Sequence, residues 1–224
     1  MLSITLSDDF ARAGVPVVLG LIHCRVTVAP DHPDLTRALE EEVARGQQQL
    51  AAIPPIQQPL VAAARRAYKA LGKDPSRYRL ASEALLRRIH QGKGLYRINT
   101  VVDVNNLVSL HSGLAVGSYR VAALAPPVEF RRGRSGESYA GIGRGPLNLA
   151  NLPLLADRQG PFGSPTSDSE RSRITSDTDR ILMVLIDFRR EGELQQFLDY
   201  AVDCLERYCG AMEVERGIVR SGAD

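Results

Sequence analysis

Residues 181–186 read Ile-Leu-Met-Val-Leu-Ile, apolar at odd and even positions alike. A strand with one wet face alternates apolar and polar side chains, so an unbroken run of this kind means burial on both faces. The segment from Ile181 to Phe188 is therefore predicted to be a central strand. A longer strand is expected at Val15–Val28, and short ones at Met1–Ser7, Ser118–Ala123, Val128–Arg132, Ser138–Ile142 and Leu154–Ala156.

Helical periodicity dominates before Gly113. Asp34–Leu50 places Leu35, Leu39, Val43 and Leu50 at helical spacing. Leu60–Leu71 and Leu80–Gln91 follow, closed by Gly72 and Gly92. Ile98–Gly113 is the most legible helix, with Thr100 and Asp103 spaced as a capping box. Gly192–Tyr208 is predicted as a final helix carrying Leu194, Phe197, Leu198, Ala201 and Leu205 on one stripe. The fold class is α+β, with helices mostly in the N-terminal half and a mixed or antiparallel sheet in the C-terminal half. The chain reads as one domain over residues 1–224, with 1–77 supplying N-terminal strands and helices and 78–210 the core.

Composition narrows the class. At 224 residues, 44% hydrophobic and 24% charged, the chain is ordinary globular material rather than disordered or fibrous. The uncharged stretch Val15–Cys24 has ten residues, and a membrane span needs roughly twenty. Met1–Asp9 has no basic segment and carries two aspartates, unlike a signal peptide. Three cysteines, Cys24, Cys204 and Cys209, lack metal-site spacing and read as free thiols of a cytoplasmic protein. No His-x-x-x-His, Cys-x-x-Cys or Glu-x-x-His pair is present, so neither a metal nor a cofactor is expected. Tyr139–Gly145 lacks the register of a nucleotide-binding glycine loop and reads as a strand edge or turn.

The net charge of +2 is unevenly spread. Between residues 60 and 97 ten basic residues face two acidic ones, a local +8 on a body of −6. Such a band suits a polyanion, although two amphipathic helices with arginine-rich outer faces give the same pattern. Arg65, Arg66, Lys69, Lys73, Arg87 and Arg88 are its candidate RNA contacts.

Two segments carry candidate chemistry. Asn105 and Ser109 lie one helical turn apart and present an amide and a hydroxyl to one spot, or else form a solvated face. Residues 157–178 hold only Phe162 and Ile174 as large apolar side chains; loops this long are uncommon inside a domain and are usually functional or disordered. Asp168, Ser169, Glu170, Arg171 and Arg173 are its candidate ligand-binding groups.

Asn99-Thr-Val-Val-Asp-Val-Asn-Asn-Leu-Val108 and Ser167-Asp-Ser-Glu170 together resemble the B3/B4 domain, the editing module of the phenylalanyl-tRNA synthetase β subunit. The family helix commonly reads N-x-V-V-D-V-T-N-x-V, and this chain departs from it at Asn105. The resemblance implies the B3/B4 fold and a trans-acting hydrolase of mischarged aminoacyl-tRNA, its partner being the aminoacyl end of tRNA. Asn106 falls on the family's pocket asparagine and would orient the substrate. Glu170 falls on the family's glutamate and would hold the ammonium or a water, with Ser109 or His111 completing the water's hydrogen bonds. Gly117 stands where the family has a pocket histidine. The class II catalytic motifs of a synthetase have no counterpart, so aminoacylation by this chain alone is not expected. A non-catalytic RNA-binding module and a binder of amino-acid-like small molecules remain alternatives.

Overall fold

In the computed structural model, residues 2–189 and 193–220 are described. The elements in chain order are β1 (Ile4–Leu6), α1 (Asp9–Arg12), β2 (Val18–Arg25), α2 (Pro33–Ala52), α3 (Pro59–Ala70), α4 (Ala81–His90), α5 (Thr100–Ser112), β3 (Ala115–Arg120), β4 (Val128–Arg132), β5 (Ser138–Gly141), β6 (Gly145–Asn148), β7 (Pro153–Asp157), β8 (Gly160–Gly163), β9 (Arg180–Asp187), α6 (Leu194–Cys209) and β10 (Met212–Arg220). Met1 and Gly192, the first residues of two predicted elements, lie outside the described residues.

The apolar run becomes β9, inside an antiparallel sheet ordered β10-β2-β9-β3. Its two parities separate as pleating demands. Ile181, Met183 and Leu185 join Val101, Val104 and Leu198 in the core beneath α2, α5 and α6. Leu182, Val184 and Ile186 face the other way, into a core shared with Phe130, Leu154 and Leu155. Those last residues belong to the second sheet, ordered β1-β4-β7-β8. The layers are thus helices, central sheet, second sheet. Leu50, Val61, Leu86, Ile89 and Leu110 form a satellite core among α2, α3, α4 and α5.

The α+β class stands, with three differences of detail. The central sheet draws β2 from the N-terminal part and pairs it with β9 over eight residues, Val18↔Asp187 to Arg25↔Arg180. The final helix is not the last element, because β10 follows it and pairs antiparallel with β2. The 157–178 segment is a folded strap rather than open loop, containing β8 and a 3₁₀ turn at Glu170–Ser172.

Among the described residues, Cys24, Cys204 and Cys209 are free and buried. No cluster of His, Cys, Asp or Glu there is arranged to hold a metal, and no helix is long and apolar enough to cross a membrane.

Candidate active site

The start of α5 is fixed by a cap one residue earlier than the Thr100 box predicts. Asn99 is extended, and its side chain accepts from Val102 N at 3.0 Å. Thr100 is engaged elsewhere: its N–H donates to Ala29 O and its Oγ1 accepts from Ala29 N, at 2.9 and 3.1 Å. These reciprocal bonds fasten residues 28–30 to the helix. Asp103, fully buried, accepts from Arg97 Nε at 2.6 Å and Ile98 N at 3.2 Å.

The helix points Asn105 at β3, where Ser118 Oγ donates to Asn105 Oδ1 at 2.8 Å. With its oxygen engaged, the amide's two N–H donors, which form no hydrogen bond among the described residues, are available to a ligand.

Asp168 comes from the strap, which is wired on every side. Ser164 N and Tyr119 Oη both donate to Asp168 Oδ1, at 3.2 and 2.9 Å. The Asp168 carbonyl accepts from Ile142 N, Ala81 N donates to Pro165 O, and Tyr68 Oη meets Thr166 Oγ1 at 3.0 Å. Tyr139 Oη donates to Ser164 Oγ and Ser167 O. Oδ2 of Asp168 forms no hydrogen bond among the described residues. Burial pushes this carboxyl up to about 7, against the opposing pull of the Tyr119 and Ser164 donors.

Gly117 makes this arrangement possible. A Cβ there would lie 2.4 Å from Tyr119 Oη and 3.2 Å from Asp168 Oδ2, and one at Gly163 would lie 2.3 Å from the same ring. The two glycines bed Tyr119, whose edge meets Phe162 at a centroid distance of 5.0 Å. The ring thus fills the space beside Gly117 that a side chain there would need.

Asn105, Ser118 and Asp168 line one cavity of about 710 Å³. Val28, Val102, Ile98, Ile142 and Ile174 make its apolar wall; Thr175, Ser176 and Arg173 add polar groups. Ile98 and Ile142 are 60% and 43% exposed, so the walls continue outward as apolar lips. An apolar side chain and a polar, carbonyl-bearing head fit this division of surface.

Several predicted residues lie elsewhere. Asn106, half-buried, does not line the cavity; at 100° per residue it points away when Asn105 points in. Glu170 pairs with Arg173 at 3.1 Å, because the 3₁₀ turn carries it off the line of Asp168. Ser169 caps that turn through Arg171 N. Arg171 is bound to Asp157, to Gln159 and to the Ala123 and Gly160 carbonyls. Ser109 Oγ is turned to Leu114 O at 2.8 Å. His111 is exposed, stacked on Tyr200 at 4.0 Å and 3.3 Å from Arg45, beside a separate hollow. Tyr119, Ser118, Ile98 and Ile142 are not among the site residues that the sequence singles out; strand alternation in 115–120 is the one signal that pairs Gly117 with Tyr119.

The basic band is partly consumed internally. Lys73 is buried, donating to Asn148 O and Ala150 O at 2.9 and 2.7 Å, and burial beside Arg77 lowers its ammonium to about 8. Arg65 and Arg87 bind Glu83, and Arg88 donates to Gly94 O while lying 3.9 Å over Tyr96. Arg66 and Lys69 are exposed.

The B3/4 domain profile matches residues 63–210. No curated protein matches the sequence. An N-terminal fragment of the phenylalanyl-tRNA synthetase β subunit from Pyrococcus horikoshii is similar to this chain at 12% identity and a TM-score of 0.49, covering 99% of this chain and 55% of the fragment. The chain therefore spans just over half the length of that fragment. With the profile covering well over half of its residues, the chain belongs to the B3/4 domain family.

Proposed function

We propose that this chain hydrolyses the ester of an aminoacyl-tRNA, seating an apolar or aromatic aminoacyl group in the cavity. The observation that carries the reading is the pair lining one apolar-walled hollow: a carboxyl that ionises near neutrality, and an amide whose N–H donors form no hydrogen bond among the described residues. An aminoacyl ester is activated, so a positioned water and a polarised carbonyl suffice without a protein nucleophile. Asp168 Oδ2 takes a proton from water as the water oxygen bonds to the ester carbon. Asn105 Nδ2 donates to the developing oxyanion. The carbon–oxygen bond to the ribose then breaks, and the ribose oxygen takes the proton back from Asp168. The partner is tRNA, with Arg66 and Lys69 on the exposed face of α3 available to its backbone. The whole chain acts as one domain.

The test is loss of label from tRNA mischarged with tyrosine. Removing a general base typically costs 10²–10⁴-fold, so Asp168→Asn is expected to be slower by about 10²-fold or more, and Asn105→Ala by about 10-fold or more. Glu170→Ala is expected to match wild type. Equal ester loss with wild type and Asp168→Asn overturns the reading.

A further inference from the structure

Glu83 is wholly buried on α4, and three guanidiniums converge on its carboxylate. Arg65 Nη1 lies 2.9 Å from Oε2, while Arg87 Nε and Arg79 Nε lie 2.9 and 3.5 Å from Oε1. One negative charge is thus set against three positive ones. Arg65 is nearly enclosed, its remaining contacts going to Pro75 O and Ser76 Oγ. Arg79 and Arg87 differ, with side chains 41% and 39% exposed. Their terminal nitrogens form no hydrogen bond among the described residues. Arg79 Nε is buried without an aligned partner. Two guanidiniums anchored to one oxygen repel each other; an anion bridging their outer edges relieves that repulsion, and the planar fork suits phosphate oxygens.

We infer that Glu83 templates Arg79, just before α4, and Arg87, within it, into a phosphate-binding clamp at the surface beside Glu83. The ligand is a phosphate group, supplied by a nucleic-acid backbone or by a free phosphate. The clamp rests on the tRNA half of the proposed function, not on its hydrolytic half. It is linked to the cavity through Ala81, at the start of the same helix, which is bonded to the strap residue Pro165 at 2.7 Å.

Uncharged tRNA and inorganic phosphate are titrated separately against the full chain. Arg79→Gln/Arg87→Gln is expected to weaken one of them by about 10-fold or more, and for tRNA to flatten the salt dependence by about one per lost phosphate contact. Whichever ligand responds identifies the source. The matched control is Arg37→Gln/Arg158→Gln, which removes the same charge from exposed positions elsewhere and is expected to change binding less than 2-fold. Glu83→Gln gives the sharper contrast. It makes the protein one charge more positive, so undirected attraction predicts tighter binding, whereas templating predicts weaker binding. Thermal melts identify folded variants, and the arginine pair decides if Glu83→Gln does not fold. Unchanged binding of both ligands to the arginine pair variant, or a loss equal to the control's, overturns the clamp. Hydrolysis of a tyrosine ethyl ester reads the cavity independently, since that substrate carries no phosphate.

Discussion

Asp168 sits where desolvation and hydrogen bonding oppose each other, and desolvation wins. Two donors on Oδ1 favour the anion, yet the carboxyl is still pushed from the usual carboxylate range to about 7. The folded chain therefore holds this proton more tightly than the unfolded chain does. Stability from the protonated form is fully present below about pH 4 and is lost as pH rises through about 7. Asp168→Asn keeps an oxygen acceptor for Tyr119 and Ser164 but removes the ionisation. It is expected to match wild-type stability at pH 4 and to exceed it at pH 8 by up to about 4 kcal/mol. Urea unfolding at the two pH values checks this, and a pH-independent difference contradicts it. On the proposed mechanism the gain in stability would accompany loss of hydrolysis, as expected of a buried functional carboxyl. The proposed hydrolysis needs the anion, so its rate is expected to rise with pH through about 7.

The helix α5 shows how one element positions a site, and how far its sequence discloses that. Its N-terminus is held by Asn99, and capping asparagines typically contribute about 1 kcal/mol. Asn99→Ala is expected to lower the melting temperature by about 2–4 °C, with Asn99→Ser recovering most of the loss. An unchanged melt would mean that the Thr100–Ala29 bonds alone fix the helix start. The helices were legible because burial at a 3.6-residue period is written in Leu and Val positions, as in α2, α5 and α6. β8, Gly-Pro-Phe-Gly, is too short to show a period, and β10 is an edge strand whose residues are mostly exposed or half-exposed. The helix containing the polar groups was readable, but not the choice between Asn105 and Asn106. That choice follows from Ser118, which arrives from a strand thirteen residues on. Likewise the strap was recognisable as unusual, while the preference for Asp168 over Glu170 depends on Tyr119, Ser164 and the 3₁₀ turn.

At the scale of the whole molecule, the family match and the physical unit differ. Residues 63–210 omit β2 and β10, yet β2 lies between β10 and β9. Without it β9 loses eight paired residues on one edge, and Ile22, Cys24, Leu19 and Leu21 vanish from the two faces of the central sheet. An unpaired central strand with both faces apolar is an aggregation site rather than a stable edge. The cavity would suffer too, because Val28, Ala29 and Pro30 form one of its walls. A fragment of residues 63–210 is therefore expected to lack a cooperative thermal transition and near-ultraviolet circular dichroism, whereas the full chain shows both. Supplying residues 1–62 as a separate peptide is expected to restore them in part, since it returns β2 to its pairing with β9. A fragment that melts cooperatively on its own would show that the matched region is an independent domain, and that β2 is an addition to it.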